Sequence, residues 1–267
     1  MTLGKRVRLS RLFAHPSGRF CSVAVDHFIG YQAGLPEGLR DLPETLRAVV
    51  AGRPDAVTMH KGVAKGCWGP HAGQVPLIVQ STIARPDDSA RENIATPAEA
   101  LRLGADAFAT CAFVRGPSEA WYLRAVADFV RQADGLGMPL ILHVYPLRRD
   151  DGGVRICLEA EHIAWAVRCG IETGADVIKV PFTGDADSYG QIVRGCPVPV
   201  VAAGGPRTER LEDALALAAG VVASGARGMT IGRNVWGFAP PARSLRAFQA
   251  VIHDGAAPGE ALKLAGG

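Results

Sequence analysis

Amphipathic stretches of helix length recur along the chain, each ending at a glycine, followed by a short turn and a compact apolar run. The phrase appears as Gly52-Arg-Pro-Asp55 before Ala56-Val-Thr-Met59, and as Gly104-Ala-Asp106 before Ala107-Phe-Ala-Thr110. It returns as Gly174-Ala-Asp176 before Val177-Ile-Lys-Val180, and as Gly225-Ala-Arg227 before Gly228-Met-Thr-Ile231. Glycine adopts the left-handed conformation that ends a helix, so each of these glycines is expected just past a helix C-terminus. Further apolar runs at 20–25, 76–80, 139–144 and 198–202 bring the strand candidates to eight. Helix-length segments lie between them, some with start signals: Thr96-Pro97, Thr208 before an apolar-periodic run, and the long stretch 118–136.

Strands alternating with helices imply a parallel sheet, and runs apolar throughout imply strands buried on both faces. The expected fold is therefore a single-domain (β/α)8 TIM barrel over residues 1–267, with 1–18 as an N-terminal extension. An open doubly wound sheet is the alternative. The glycine- and proline-richer stretch 62–76 reads as a βα loop.

Length agrees with this picture, since 267 residues is the size of one such barrel. The formal charge is +3, from 29 basic and 26 acidic residues with no dense basic run, which argues against a nucleic-acid partner. The six cysteines carry no C-x-x-C pair and no metal-ligand spacing, so neither a disulfide framework nor a bound metal is expected, and reduced cytoplasmic thiols are. No apolar run has the length of a membrane span or a signal sequence, which points to a cytoplasmic protein with no membrane partner.

In such barrels the site lies at the C-terminal ends of the strands, so polar residues there are the candidates. Lys179 sits inside an apolar strand. Burial disfavours its ammonium and exposes the neutral amine that attacks a carbonyl. The structural alternative is an ion pair with Asp176 or Asp185. Tyr145 and His143 share a face near the end of the fifth strand and suit proton transfer, although a buried tyrosine also serves as packing. Asp26, on the face of Ala24 and Ser22, can take a substrate hydroxyl proton or form a salt bridge to Lys179 or Lys61. Gly204 and Gly205 after the seventh strand, with Gly232 and Arg233 after the eighth, suit a phosphate. Their backbone N–H groups approach an anion closely, the following helix N-terminus adds positive potential, and Arg233 can bind in paired fashion. Lys61 adds a cation at the same rim, or is simply solvated.

The phrases Val25-Asp-His27, His60-Lys-Gly62, His143-Val-Tyr-Pro146, Asp176 to Asp185, Val200 to Pro206 and Gly228 to Trp236 together resemble the archaeal-type class I aldolase family, in order from about residue 20 to 237. That family includes fructose-bisphosphate aldolases, aminodideoxyheptulosonate synthases and a thiolase of a phosphorylated quorum signal. The resemblance implies Lys179 as Schiff-base lysine, Tyr145 as proton donor and acceptor, Asp26 as substrate-activating carboxylate, and Gly204, Gly205, Gly232 and Arg233 as phosphate cradle. It also implies a homo-oligomer, with decamers among the family's assemblies. Two positions depart from the pattern. Phe28 replaces a common glycine and is expected to narrow the space beside Asp26, and His143 stands where tryptophan is common and adds a second acid/base group.

The expected function is thus a cofactor-independent class I aldolase, a carbon–carbon lyase acting on a small carbonyl compound, a phosphorylated ketose or a relative of one. The alternatives are a transaldolase- or thiolase-type transferase on the same scaffold, a non-catalytic sugar-phosphate binder, and a metal-dependent aldolase using His27, His60 and His143.

Overall fold

The computed structural model describes residues 1–29, 34–238 and 240–266. Eight parallel strands form the barrel: β1 (Phe20–Ala24), β2 (Val57–His60), β3 (Leu77–Gln80), β6 (Ala107–Val114), β7 (Leu140–Asp150), β9 (Val177–Pro181), β10 (Val200–Ala203) and β11 (Gly228–Ile231). Three short antiparallel strands stand outside it: β4 (Thr82–Ala84) with β5 (Arg91–Asn93), and β8 (Gly153–Ile156), which pairs back on the end of β7. The barrel runs β1-β2-β3-β6-β7-β9-β10-β11, and the pairing of β1 with β11 closes it. All eight apolar runs are barrel strands, so the sheet is closed and the open alternative is set aside.

The seam between β1 and β11 depends on a glycine. Gly228 pairs with Phe20, and a Cβ at Gly228 would fall 2.0 Å from the Phe20 carbonyl oxygen. Its φ of +117° is also one that residues with side chains rarely adopt.

The helices are α1 (Leu3–Leu12), α2 (Leu42–Ala51), α3 (Lys61–Cys67), α4 (Pro97–Arg102), α5 (Glu119–Gly135), α6 (Ala160–Thr173), α7 (Ala186–Arg194), α8 (Leu211–Ala223), α9 (Arg233–Trp236), α10 (Pro241–Gln249) and α11 (Pro258–Gly266). Thr96 and Glu99 close a reciprocal capping box on α4, with Pro97 in its first turn. Helix α5 spans the long stretch anticipated, from its N-cap Ser118. The segment 62–76, expected as loop, contains α3 and a 3-10 turn at 69–71; glycines 62 and 66 are carried within the helix. Gly104, Gly174 and Gly225 take the left-handed conformation, but Gly52 does not (φ −79°), and Arg53 takes it instead at φ 52°.

Period-two alternation divides the strand side chains into two shells. Outward-facing residues such as Val23, Met59, Val79, Phe108, Leu142, Ile178 and Ala202 pack against the helices. Inward-facing Phe20, Ile78, Ala107, Ala109, Ile141, Val177 and Val201 fill the barrel floor, where Leu12, Leu9 and Phe13 plug it from below. Thus α1, expected only as an extension, seals the barrel's N-terminal end. Lys5 pins it there: Nζ donates to both Asp176 carboxylate oxygens at 2.9 and 2.7 Å and pairs with Asp134. Burial works against the ammonium, yet the two carboxylates outweigh it and its pKa is raised. No helix among the described residues is long and apolar enough to cross a membrane.

Candidate active site

Above this floor the inward positions change from apolar to polar, and the barrel opens at its C-terminal end into a cavity of about 630 Å³. Its walls carry Asp26 and His27 after β1, His60 and Gln80 at the ends of β2 and β3, Cys111 on β6, His143 and Tyr145 on β7, and Lys179 on β9. Gly204, Gly205, Gly232 and Arg233 line it on the β10–β11 side. The register sets Cys111, His143, Lys179 and Val201 side by side on β6, β7, β9 and β10, and Tyr145 lies one inward position above His143.

Lys179 is only 6% exposed. Among the described residues its amine forms no hydrogen bond or ion pair, because both aspartates that flank it in sequence are used elsewhere. Asp176 holds Lys5 and accepts the Leu140 N–H, and Asp185 caps α7 through the Ser188 N–H. Burial pushes the Lys179 pKa down, and the nearby Asp26 only partly offsets it.

Asp26 lies 3.3 Å from His27 Nδ1. Burial acts to raise its pKa, but the His27 contact, joined by His27, His60 and Lys179 whenever these are protonated, outweighs it, so the carboxyl is held far below its ordinary range. His143 is pushed the other way, well below the ordinary histidine value, by burial first and then by Lys179. The Cys111 thiol is raised by burial to about 12 and stays protonated. Around Lys179 the cavity therefore combines the anionic Asp26 carboxylate, the neutral His143 and Cys111, and an amine whose charge is disfavoured, with Arg85, Asp87 and Arg233 at its wall.

On the opposite side Gly204 and Gly232 are required by close packing, and Gly205 by its left-handed φ of +69°. A Cβ at Gly232 would lie 2.4 Å from His27 Cε1, and one at Gly204 2.9 Å from Ile231 Cα. The two strand ends are tied by Asn234, which is 2% exposed. Its Nδ2 donates to the Gly204 and Pro206 carbonyls and its Oδ1 accepts the Thr208 N–H. Arg233 donates from Nη2 to the Gly205 carbonyl at 2.9 Å. The helix-dipole contribution expected here is largely missing. Helix α8 begins only at Leu211, and α9 is a single turn, so the positive potential belongs mainly to Arg233.

Two expectations are corrected. Lys61 does not line the cavity; it opens α3, and its Nζ donates 2.7 Å to Glu99 Oε1. Phe28 does not narrow the space beside Asp26: a turn closed by the Phe28 N–H to the Asp26 carbonyl leaves the ring half exposed and off the cavity wall. His27, His60 and His143 do not gather their nitrogens as ligands. Among the described residues the one such grouping is Cys157, Glu159 and His162, outside the cavity, where Glu159 already pairs with Arg148.

Some of the wall residues that sequence reasoning overlooked come from the two hairpins. Ala84, Arg85, Pro86 and Asp87 enter from the β4–β5 hairpin, and Val154 and Ile156 from β8. The Asp151-Gly-Gly153 turn between Asp150 and Val154 was a legible hairpin signal. Gln80 carried no signal of its own.

A barrel with an amine-bearing strand and a glycine-lined rim is shared by many enzymes, and comparison with known proteins narrows the choice. Residues 20–237 match the family described as DeoC/LacD family aldolase. The chain belongs to this aldolase family. This aldolase is 34% identical to the 2-amino-3,7-dideoxy-D-threo-hept-6-ulosonate synthase of Halobacterium salinarum, over 98% of this chain and 97% of that one. It is 31% identical to synthase 1 of the same name from Archaeoglobus fulgidus, over 94% and 92%. Among solved structures, an archaeal fructose 1,6-bisphosphate aldolase superposes with a TM-score of 0.79 at 27% identity, covering 94% of this chain and 99% of that one. Another, covering 93% and 99% at the same identity and TM-score, has its catalytic lysine covalently bound to the carbinolamine intermediate of the substrate. The aldolase is accordingly a Schiff-base-forming, class I carbon–carbon lyase on a (β/α)8 barrel, acting on a small carbonyl compound.

Proposed function

We propose that Lys179 is the Schiff-base lysine, that Asp26 and Tyr145 move the protons, and that the substrate is a phosphorylated ketose or related carbonyl compound held through its phosphate by Gly205, Gly232 and Arg233, beside Gly204, whose own N–H already donates to the Thr230 carbonyl. The observation that carries this reading is Lys179 itself: a lysine buried in a barrel wall, unpaired among the described residues, facing the cavity, with its pKa lowered. Burying an ammonium without a partner is costly, and a fold retains such a group where the neutral amine is used.

The neutral Lys179 nitrogen adds to the substrate carbonyl carbon, and loss of water from the carbinolamine leaves an iminium. Asp26, anionic through its surroundings, takes the proton of the hydroxyl borne by the far carbon of the scissile bond. That bond then breaks, an aldehyde departs, and its electron pair passes into the iminium to give an enamine. Tyr145, on the next strand and one inward position higher, returns a proton to the enamine carbon. Water then hydrolyses the iminium and frees Lys179.

A transferase outcome uses the same steps as far as the enamine, which is then captured by a second carbonyl compound. The two relatives named as synthases favour it, and the cavity volume admits two small reactants. Product analysis with and without an acceptor separates the outcomes. The test of the shared intermediate is incubation with dihydroxyacetone phosphate, fructose 1,6-bisphosphate or a small oxo-acid, followed by borohydride and peptide mapping. The expected mass increase is confined to the Lys179 peptide and absent in Lys179→Ala. Phosphate binding without any label on Lys179 would overturn the proposal in favour of a binder.

A further inference from the structure

Gln80, His60 and His143 line the cavity together, and each is more than nine-tenths buried. Their hydrogen-bond chemistry leaves little freedom. The Gln80 main-chain carbonyl lies 3.0 Å from His60 Nδ1, and a carbonyl only accepts. His60 Nδ1 therefore carries a proton, and in the uncharged ring Nε2 is left with its lone pair.

The Gln80 side chain is oriented by its neighbour. The Ser81 N–H donates to Oε1 at 3.1 Å, and a backbone N–H cannot accept, so this amide atom is the oxygen. The other end, Nε2, lies 3.2 Å from His143 Nδ1. An amide NH2 only donates, so His143 Nδ1 accepts, and a neutral His143 must hold its proton on Nε2. Gln80 on β3 reaches His143 on β7 past the intervening strand β6, where its registered neighbour is the small Ala109.

We infer that Gln80 is a positioning residue that holds the two cavity histidines in opposite tautomers, so that the substrate meets an acceptor at His60 Nε2 and a donor at His143 Nε2–H. One residue makes both settings by different means, through its main-chain oxygen for His60 and its side-chain amide for His143. The titratable and charged groups that share the cavity with this pair are Asp26, His27, Arg85, Asp87, Tyr145, Lys179 and Arg233, with the protonated Cys111 thiol on β6. His143 stands level with Lys179 on the adjacent strand. Resting on the Schiff-base reading for where the carbonyl binds, the donor serves the oxygen carried by the carbon that Lys179 attacks, and the acceptor serves a substrate hydroxyl further along the chain. A phosphorylated polyhydroxy carbonyl compound meets both demands, whereas a simple ketone uses only the first.

The test needs no turnover for its first arm. In the full chain with 15N-labelled histidine, assigned with His60→Asn and His143→Asn, near-neutral spectra are expected to show the Nδ1–H form for His60 and the Nε2–H form for His143. Gln80→Met keeps the side-chain length and the main-chain carbonyl but removes the amide donor. Gln80→Glu replaces that donor with a carboxylate that accepts, drawing the His143 proton to Nδ1. In both variants the His143 signals shift while those of His60 stay. With Gln80→Glu, kcat falls at least about tenfold with little change in KM, and the acid limb of the pH profile moves upward. A wild-type His143 in the Nδ1–H form overturns the inference, as do variants that leave the His143 spectrum and the pH profile unchanged. If either variant fails to fold, the wild-type spectrum alone decides. Borohydride trapping at Lys179, measured separately, shows whether the Schiff-base reading has failed instead.

Discussion

At the scale of single residues, the cavity sorts its groups by what burial does to their charge. Lys179 and His143 are driven towards neutrality, while Asp26 keeps its charge chiefly through its contact with His27. The direction of the Lys179 shift sets a stability prediction. An unfolded lysine binds its proton up to about pH 10.4. The folded one releases it at lower pH, so between those values the unfolded chain holds more protons and stability rises with pH. Below the folded pKa the penalty is present in full. Lys179→Met is therefore expected to raise Tm, by about 2–4 °C per kcal/mol regained, with a larger gain at pH 6 than at pH 11, as scanning calorimetry at the two pH values would show. Asp26→Asn removes a charge that favours the ammonium, so the pH midpoint for acylation of the Lys179 amine is expected to move down.

The anion cradle yields a paired residue-scale prediction. Arg233→Ala is expected to raise KM for a phosphorylated substrate about 10- to 100-fold, the range of a lost charged hydrogen bond. Lys61→Ala, away from the cavity and paired to Glu99, leaves KM within about threefold. Steady-state kinetics on both variants checks the contrast. That Lys179, Tyr145, His143 and Asp26 reach the cavity was legible from strand parity, and that Gly204, Gly205, Gly232 and Arg233 line it was legible from their place just after the last two strands. Lys61 shares such a strand end but begins the helix after it, and helical geometry carries its side chain to Glu99. Gln80 was overlooked because an amide on a strand shows its role only through partners on other strands.

At the scale of elements, alternating apolar runs were enough to place the eight barrel strands, since burial on both faces imposes a continuous apolar signature. The two hairpins escaped because they are partly exposed and built from charged and turn residues, as in Arg148-Arg-Asp150 and Arg91-Glu-Asn93. They nonetheless supply cavity wall, and the β7–β8 turn depends on Gly153 at φ +105°. Gly153→Val forces a β-branched side chain into that conformation and is expected to loosen the hairpin, at a cost of about 1–2 kcal/mol. Limited proteolysis should show new cleavage within 148–156, with Schiff-base trapping at Lys179 preserved.

At the scale of the whole molecule, function depends on a floor as well as a mouth. The polar layer around Lys179 rests on inward apolar residues, and α1 closes the layer beneath with Leu12 fully buried. Leu12→Ala is expected to destabilise the fold by about 2–5 kcal/mol through the cavity it leaves, measured by urea unfolding, while the site at the opposite end keeps its KM.

The seam between β1 and β11 also governs when the molecule can come into being. Residue 20 must meet residue 228, so the first strand waits for the last, and closure is a contact of very long sequence separation. On the ribosome the open sheet keeps two bare edges until β11 emerges. Unpaired edges template association, so the growing chain is exposed to wrong partners for most of its synthesis.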